Sequence, residues 1–373
     1  MPVGRLKLGI AALAVALASG AAAGPAAAAS FTDPFDVLTP GVNSGRVAVD
    51  PDGDAAFAWS RFDGTRTRVQ ARTRSAAGVL GPVRTLSRST ETATSAPELA
   101  IDGAGRAVVV WTANDGTTDR LRTRALSATG VVGSPKILEA GGPTPTSLHV
   151  GVNAAGRAAF TWTESVAGDQ RIQARTRSSS GALGPLLTIS PAGQDGSEAD
   201  VAVDADGDVV FAWVQNDGSS FRIQVRALSA AGVLGPVKNV SPASLAAVGG
   251  RMAMNPDGDA VVVWRASVGG VVRIQGRARS AAGVLGPVRT LSGPTFNASD
   301  DHIGIDAAGN ATASWVSPDG SHLRLQARSL SAGGALSPIR DVSPNGIDVV
   351  NTTTRLGVDA AGDAVFAWLR NDH

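Results

Sequence analysis

Seven times along this chain an Asp or Asn is followed nine residues later by a tryptophan, and no other feature constrains the fold as tightly. The anchors are Asp50, Asp102, Asn153, Asp204, Asn255, Asp306 and Asp359, spaced 51 to 53 residues apart. Their partners are Trp59, Trp111, Trp162, Trp213, Trp264, Trp315 and Trp368, which are all the tryptophans in the chain. A constant period near fifty residues marks one supersecondary unit copied in tandem, each copy burying an apolar face against the next.

Four short strands fit each period. Strand A is Arg46-Val-Ala-Val-Asp50, with Val47 and Val49 at the two-residue spacing of a strand. Asp50-Pro-Asp-Gly53 follows, and Asn255-Pro-Asp-Gly258 repeats it; Asp, Pro and Gly at those positions are type I turn residues. Strand B, Ala55 to Trp59, is apolar on both faces, so burial on both is expected. Asp63-Gly64 falls midway between Trp59 and Arg68, as do Asp115-Gly116, Asp217-Gly218 and Asp319-Gly320 in their repeats, which predicts two-residue type I′ hairpins. Strand C is Arg68-Val-Gln-Ala-Arg72, echoed at Arg171-Ile-Gln-Ala-Arg175 and Arg222-Ile-Gln-Val-Arg226. A turn over Ser75 to Pro82 leads to strand D near Val83 to Leu86, and the stretch from Arg74 to Ser87 returns unchanged from Arg279 to Ser292.

Four antiparallel strands per unit, buried on both faces and copied seven times, predict an all-β chain folded as a seven-bladed β-propeller of four-stranded antiparallel blades. The middle of strand A is always small (Ala48, Ala100, Gly151, Ala202, Ala253, Gly304, Gly357), as inner strands converging on one axis require. A β-solenoid is the alternative, but its coils are shorter than these units. Phe35 to Pro40 reads as a strand D without its unit, and the last repeat stops near Asp372-His373, giving 27 strands, one short of seven complete blades. The last blade is therefore expected to be incomplete, with the N-terminal strand joining it.

Residues 1–29 stand apart. Arg5 and Lys7 precede an apolar run, Leu8 to Ala18, too short to span a bilayer, and Ala27-Ala28-Ala29 offers a cleavage site before Ser30. This is a secretory signal peptide by pattern, leaving 30–373 as a single β-propeller domain with no transmembrane segment. Removing Arg5 and Lys7 from 33 basic residues leaves 31 against 32 acidic, a net charge of −1. Such a chain carries no electrostatic footprint for nucleic acid. With no cysteine, an exported protein of this kind is stabilised without disulfides.

The Val-Ala-Val-Asp-x-x-Gly pattern, the aromatic residue closing strand B and the Arg-Ile-Gln of strand C resemble NHL-type propeller repeats of secreted bacterial proteins, across residues 46–373. Trp stands where NHL repeats usually carry Asp after strand B, and the period is longer. The resemblance implies a fold. Some NHL-like propellers are metal-assisted lyases using His and Glu at the channel mouth, but no motif of theirs maps onto this chain.

Three features are candidates for chemistry. With a two-residue hairpin, Trp59 lies opposite Arg68, Phe57 opposite Gln70 and Ala55 opposite Arg72, which would stack Arg on Trp; packing of one unit on the next is the plainer reading. The acidic turns Asp50-x-Asp52-Gly-Asp54 and Asp204-x-Asp206-Gly-Asp208 have the look of calcium loops, yet other repeats lack the six to eight oxygens calcium takes. Last, the residue four before each anchor diverges while staying charged or titratable: Arg46, Glu98, His149, Asp200, Arg251, His302 and Arg355. On a propeller these ring one mouth of the central channel. Glu98, His149, Asp200 and His302, with Asp300 and Asp301 beside the last, offer metal-ligand chemistry, and the arginines could clamp a carboxylate or phosphate. Pairing of opposite signs, Arg46 with Glu98 and Asp200 with Arg251, accounts for the same residues without a ligand.

The D-to-A loops Ser87–Pro97, Glu139–Leu148 and Gly293–Asp301 vary on that same side. No nucleophile elbow, zincin motif, P-loop or Rossmann fingerprint is present. The chain reads as a monomeric module, secreted or held at the cell envelope, with no cofactor and an extracellular glycan or protein as its partner. The ring from Arg46 to Arg355 is the expected ligand site; a metal-assisted lyase or hydrolase at the channel mouth is the alternative.

Overall fold

The computed structural model describes residues 42–139, 142–346 and 348–371. Residues 1–29, expected to be a signal peptide, the segment Phe35 to Pro40 and Asp372-His373 lie outside them. Among the described residues there are 29 strands and no helix, so no helix is long and apolar enough to cross a membrane.

Repeats 1, 3, 4, 5 and 6 each form a four-stranded antiparallel sheet in the order A-B-C-D. Repeat 2 does the same but splits strand A into Thr92–Ala93 and Glu98–Ile101, both paired to strand B at Ala107–Asn114. Repeat 7 keeps strand A as Asp348–Val349 and Arg355–Val358; the latter pairs with Ala364–Ala367, and Arg370–Asn371 pairs with the former. No strand C or D follows among the described residues. The chain divides into two compact units: 42–218 with Val225–Lys238, and Ser219–Gln224 with 239–371.

In repeats 2 to 6 strand B is buried on both faces, and six tryptophans are at most 1% exposed. Trp111 packs with Ala56, Ala58, Val69 and Ala71 of repeat 1, and Trp315 with Val261, Val263 and Ile274 of repeat 5, so repeats 2 and 6 each seal the one before. Truncating one to Ala costs about 3–5 kcal/mol. Strand A is small at its centre because neighbouring inner strands nearly touch. A Cβ on Gly151 would come 2.7 Å from the Val201 carbonyl oxygen, and one on Gly304 would collide with the Val358 side chain. Leu99 and Ile101 of repeat 2 pack on repeat 1, whereas the matching Val47 and Val49 are 58% and 61% exposed.

The anchor does one job in every copy. Its side-chain oxygen accepts the backbone N–H four residues on, at 2.7–2.9 Å, from Asp54 to Asp50 through to Asp363 to Asp359. Asn153 and Asn255 also donate to carbonyls of the next repeat, Asp204 and Ala307. The oxygens of the supposed calcium loops thus face N–H donors.

The hairpin register corrects the expected pairing by two residues: Trp59 lies opposite Gln70, Phe57 opposite Arg72 and Ala55 opposite Arg74. The turn is centred on Gly64-Thr65, closed by Asp63 N–H donating to the Arg66 carbonyl at 3.0 Å, with φ of +100° at Gly64. The ladder's last pair is Phe62 opposite Thr67, which leaves Asp63 just beyond it at the head of the turn. Its carboxylate then accepts from the Arg66 and Thr65 backbone and the Thr65 hydroxyl, which lowers its pKa to about 2.

Gln therefore lies opposite the tryptophan in repeats 1, 3, 5 and 6, and Arg122 does so only in repeat 2. Trp59, Trp264 and Trp315 donate from Nε1 to Gln70, Gln275 and Gln326 at 3.1 Å. The first Arg of the motif reaches the strand D serine, as Arg68 does to the Ser87 carbonyl and Arg222 to Ser241. The second binds a carbonyl of its own C-to-D turn and one on strand D of the preceding repeat. Arg124, Arg175, Arg226, Arg277 and Arg328 donate from Nη1 to Leu86, Leu138, Ile189, Val240 and Leu291 at 2.9–3.2 Å. Arg-Ile-Gln-x-Arg is thus a structural clamp.

Candidate functional site

The ring residues were expected at the start of strand A, and only Glu98 and Arg355 open theirs, Glu98–Ile101 and Arg355–Val358. Arg46, His149, Asp200, Arg251 and His302 stand mid-strand in Val42–Val49, Thr146–Val152, Gly196–Val203, Ala247–Met254 and Ser299–Ile305. In repeats 3 to 6 the ring residue follows a β-bulge. The register slips by one residue between Thr146 and His149, Ser197 and Asp200, Val248 and Arg251, and Ser299 and His302. The residue two before each ring position takes a left-handed backbone: Ser147, Glu198 and Asp300 at φ of +50°, and Gly249 at +72°. Three non-glycine residues held there cost on the order of 1 kcal/mol or more each, a strain that surrounding structure must sustain. Bulges of this kind re-aim the next side chain.

In the first unit the ring residues pair with one another. Arg46 donates from Nε to both Glu98 carboxylate oxygens at 3.0 Å, with Nη2 2.8 Å from Oε1. His149 Nδ1 stands 3.8 Å from Asp200 Oδ1, so Asp200 faces a histidine in its own unit.

The second unit is organised differently. Asp300 is turned inward, and its Oδ2 accepts from the Thr354 hydroxyl at 2.6 Å and the Thr354 N–H at 3.0 Å. His302 Nε2 lies 3.4 Å from Asp300 Oδ1, in an alignment too poor for a hydrogen bond, so the contact is electrostatic. Burial works against the charged Asp300, but His302 and the two Thr354 donors outweigh it and lower its pKa to about 2. The neighbouring Asp301 is 6% exposed, with Arg265 Nε 3.2 Å from Oδ1 and no hydrogen-bond partner for Oδ2. There burial prevails over the nearby Arg265 and pushes the carboxyl up. Arg265 reaches it across Gly249, where a Cβ would come 2.7 Å from the guanidinium.

Arg251 and Arg355 form no ion pair among the described residues; Arg355 Nη1 donates only to the Thr354 carbonyl. The alternative metal set is not gathered: Glu98 is held by Arg46, His149 faces Asp200 and His302 faces Asp300. Among the described residues no three His, Cys, Asp or Glu side chains are grouped to hold a metal ion.

Arg265 and Thr354 escaped the sequence reading. A signal for the first was present, since Arg follows Trp264 where other repeats carry Ser60, Thr112, Thr163, Val214 and Val316. Thr354 has no such mark. Phe62 closes the strand Ala55–Phe62, Phe221 opens Phe221–Leu228 and Phe296 lies in the loop before Ser299–Ile305; these are the exposed phenylalanines among the described residues.

No protein-family model matches this sequence, and no curated protein does. Among solved structures it is similar to the β-propeller domain of the Trilobed protease from Pyrococcus furiosus, described as having an open velcro topology, at 10% identity over 89% of this chain and 96% of that one, with a TM-score of 0.51. A PL25 ulvan lyase bound to a sulfated oligosaccharide (6% identity, 89% and 93% of the two chains, TM-score 0.49) and the polysaccharide lyase Uly1 (10%, 91% and 91%, 0.48) match more loosely. At such identities a likeness speaks of fold alone, and the first is close enough to do so. The helix-free, four-stranded antiparallel sheets are blades of a β-propeller fold.

Proposed function

We propose that this chain is an exported binding module, a seven-bladed propeller with its last blade incomplete, whose loop end recognises a glycan bearing acidic groups. The observation that carries the reading is that Phe62, Phe221 and Phe296 are exposed at the loop ends of their blades, in a chain where every described tryptophan is buried. Apolar ring faces suit the carbon faces of sugars, and a few placed polar groups set orientation. Arg251 and Arg355, in no close ion pair among the described residues, supply the planar donors that hold a carboxylate or sulfate. Export rests on the signal pattern of residues 1–29.

The test is titration of the purified protein with a uronate oligosaccharide and its neutral, reduced counterpart. Saturable binding of the acidic form is expected, weakened tenfold or more in Arg251→Ala/Arg355→Ala and unaltered in Arg46→Ala. Equal binding of both oligosaccharides, or of neither, defeats the reading.

A further inference from the structure

Asp-Gly recurs through the turns of this chain, as at Asp63-Gly64, Asp115-Gly116 and Asp319-Gly320, but Asn-Gly occurs once, at Asn345-Gly346. The difference is chemical. A backbone nitrogen can attack the side-chain carbonyl of the residue before it, and glycine, with no Cβ in the way, leaves that approach most open. Asp63 and Asp319 are shielded from the attack. Backbone N–H donors hold their carboxyls ionised, at pKa values of about 2, and a carboxylate is a poor target for a nucleophile. The Asn345 amide has no such protection.

The fold adds a second element. Asn345 and Gly346 form an exposed turn after strand D of blade 6, Arg340–Asp341. Gly346 has φ of +76°, with nothing within 4 Å of where a Cβ would stand. Arg324, 3% exposed, donates from Nη1 to Asn345 Oδ1 at 2.7 Å. Ser343 fixes the rest of its guanidinium, taking Nη2 on its carbonyl at 2.6 Å and Nε on its hydroxyl at 3.2 Å, while Asp319 Oδ2 lies 3.3 Å from Nη1. The matching arginines of blades 3 and 5, Arg171 and Arg273, reach the serine and no loop side chain among the described residues. In blade 6 the same arginine is aimed at an amide carbonyl.

We propose that Asn345 is a site of spontaneous deamidation, with the Arg324 guanidinium stabilising the oxyanion that develops on its side chain. The Gly346 nitrogen loses its proton to solvent base and attacks Asn345 Cγ. As that C–N bond forms, the carbonyl electrons move onto Oδ1, where Arg324 Nη1 already donates. Collapse expels the side-chain nitrogen as ammonia, which takes its proton from water, and leaves a cyclic imide. Water then opens the ring at either carbonyl, giving aspartate or isoaspartate. The net change is amide plus water to carboxylic acid plus ammonia, with nothing oxidised or reduced. The aspartate product sets a carboxylate on Arg324 in place of the amide oxygen, a stronger, charge-assisted bond.

The test incubates the full chain in mildly alkaline buffer and follows the tryptic peptide 341–355 by mass spectrometry, with Asn351 in the same peptide as internal reference. Conversion at Asn345 is expected to run at least tenfold faster than at Asn351, and to slow tenfold or more in Gly346→Ala. Arg324→Lys should slow it several-fold in the folded chain and leave it unchanged in urea, where no arginine is held against the amide. Equal rates at the two asparagines, or indifference to Gly346→Ala, overturns the proposal. So does an Arg324→Lys effect that persists in urea or is absent from the folded chain. Melting curves establish that each variant is folded, and the comparison of Asn345 with Asn351 needs no variant at all. Failure here leaves the glycan reading untouched, because neither Asn345 nor Arg324 is among its donors.

Discussion

Each unit buries one carboxylate against an arginine beneath its loop end, and the two do so to opposite effect. In blade 2, Glu91 enters from the D-to-A loop and meets Arg122, which replaces the usual glutamine opposite Trp111; both are at most 3% exposed. In blade 6, Asp301 is as deeply buried, but its partner Arg265 is 35% exposed. The first pair is closed to solvent and holds a core together. In the second, water already screens the arginine; the acid's other oxygen lacks a donor in both pairs, so it does not set them apart. Depth of one partner alone does not decide what a buried ion pair is worth; the exposure of the other does.

The largest expected effect breaks the comparison at its closed end. Glu91→Ala leaves Arg122 charged and unpaired in the core, at a cost of about 3–5 kcal/mol. Adding Arg122→Gln should recover most of that loss, since Gln fills this position in most other blades. Asp301→Asn at the open end should change stability by under about 1 kcal/mol, because Arg265 remains solvated. Chemical denaturation of the four proteins reads the contrast, and equal losses from Glu91→Ala and Asp301→Asn would abolish it.

A smaller effect is read by acid. The pKa of Asp300 is depressed to about 2, so its stabilisation is complete above the ordinary carboxylate value near 4 and is lost as pH falls towards 2. Asp301 is shifted the other way, chiefly by burial, so its charged form costs stability, and that cost is relieved as pH falls through its raised value. Asp301→Asn should therefore remove a gain in melting temperature on mild acidification, and Asp300→Asn should flatten part of the loss below about pH 4. Melting curves of the same shape in both variants would show that neither carboxyl titrates as its surroundings dictate.

How much of this was legible in the sequence follows from how each feature is written. The repeat, the anchor turns and the small inner positions are written in residue identity, because Trp, Asp and Gly at fixed spacing have few structural meanings. Hairpin register was not, since Asp63-Gly64 and Gly64-Thr65 are equally good centres until the closing Asp63–Arg66 bond is seen. The bulges were hidden because Ser147, Glu198 and Asp300 are ordinary residues in a left-handed conformation that tertiary packing imposes; only Gly249 in the same slot hints at it. The ring's charges could be located one by one, but which pair and which stay open depended on Arg265 and Thr354, whose reach no spacing announces.

The smallest expected effect belongs to the most visible contact. Arg46 and Glu98 make a bidentate pair, yet the arginine is 40% exposed and the glutamate 25%, so water competes for both. Arg46→Ala and Glu98→Ala should each cost no more than about 1 kcal/mol, with a coupling energy in the same range. A double-mutant cycle at low and high salt measures it, and the coupling should shrink as ionic strength rises. A coupling above about 2 kcal/mol that resists salt would mean the pair behaves as a core contact such as Glu91–Arg122, and the distinction between closed and open charge would have to be drawn elsewhere in the molecule.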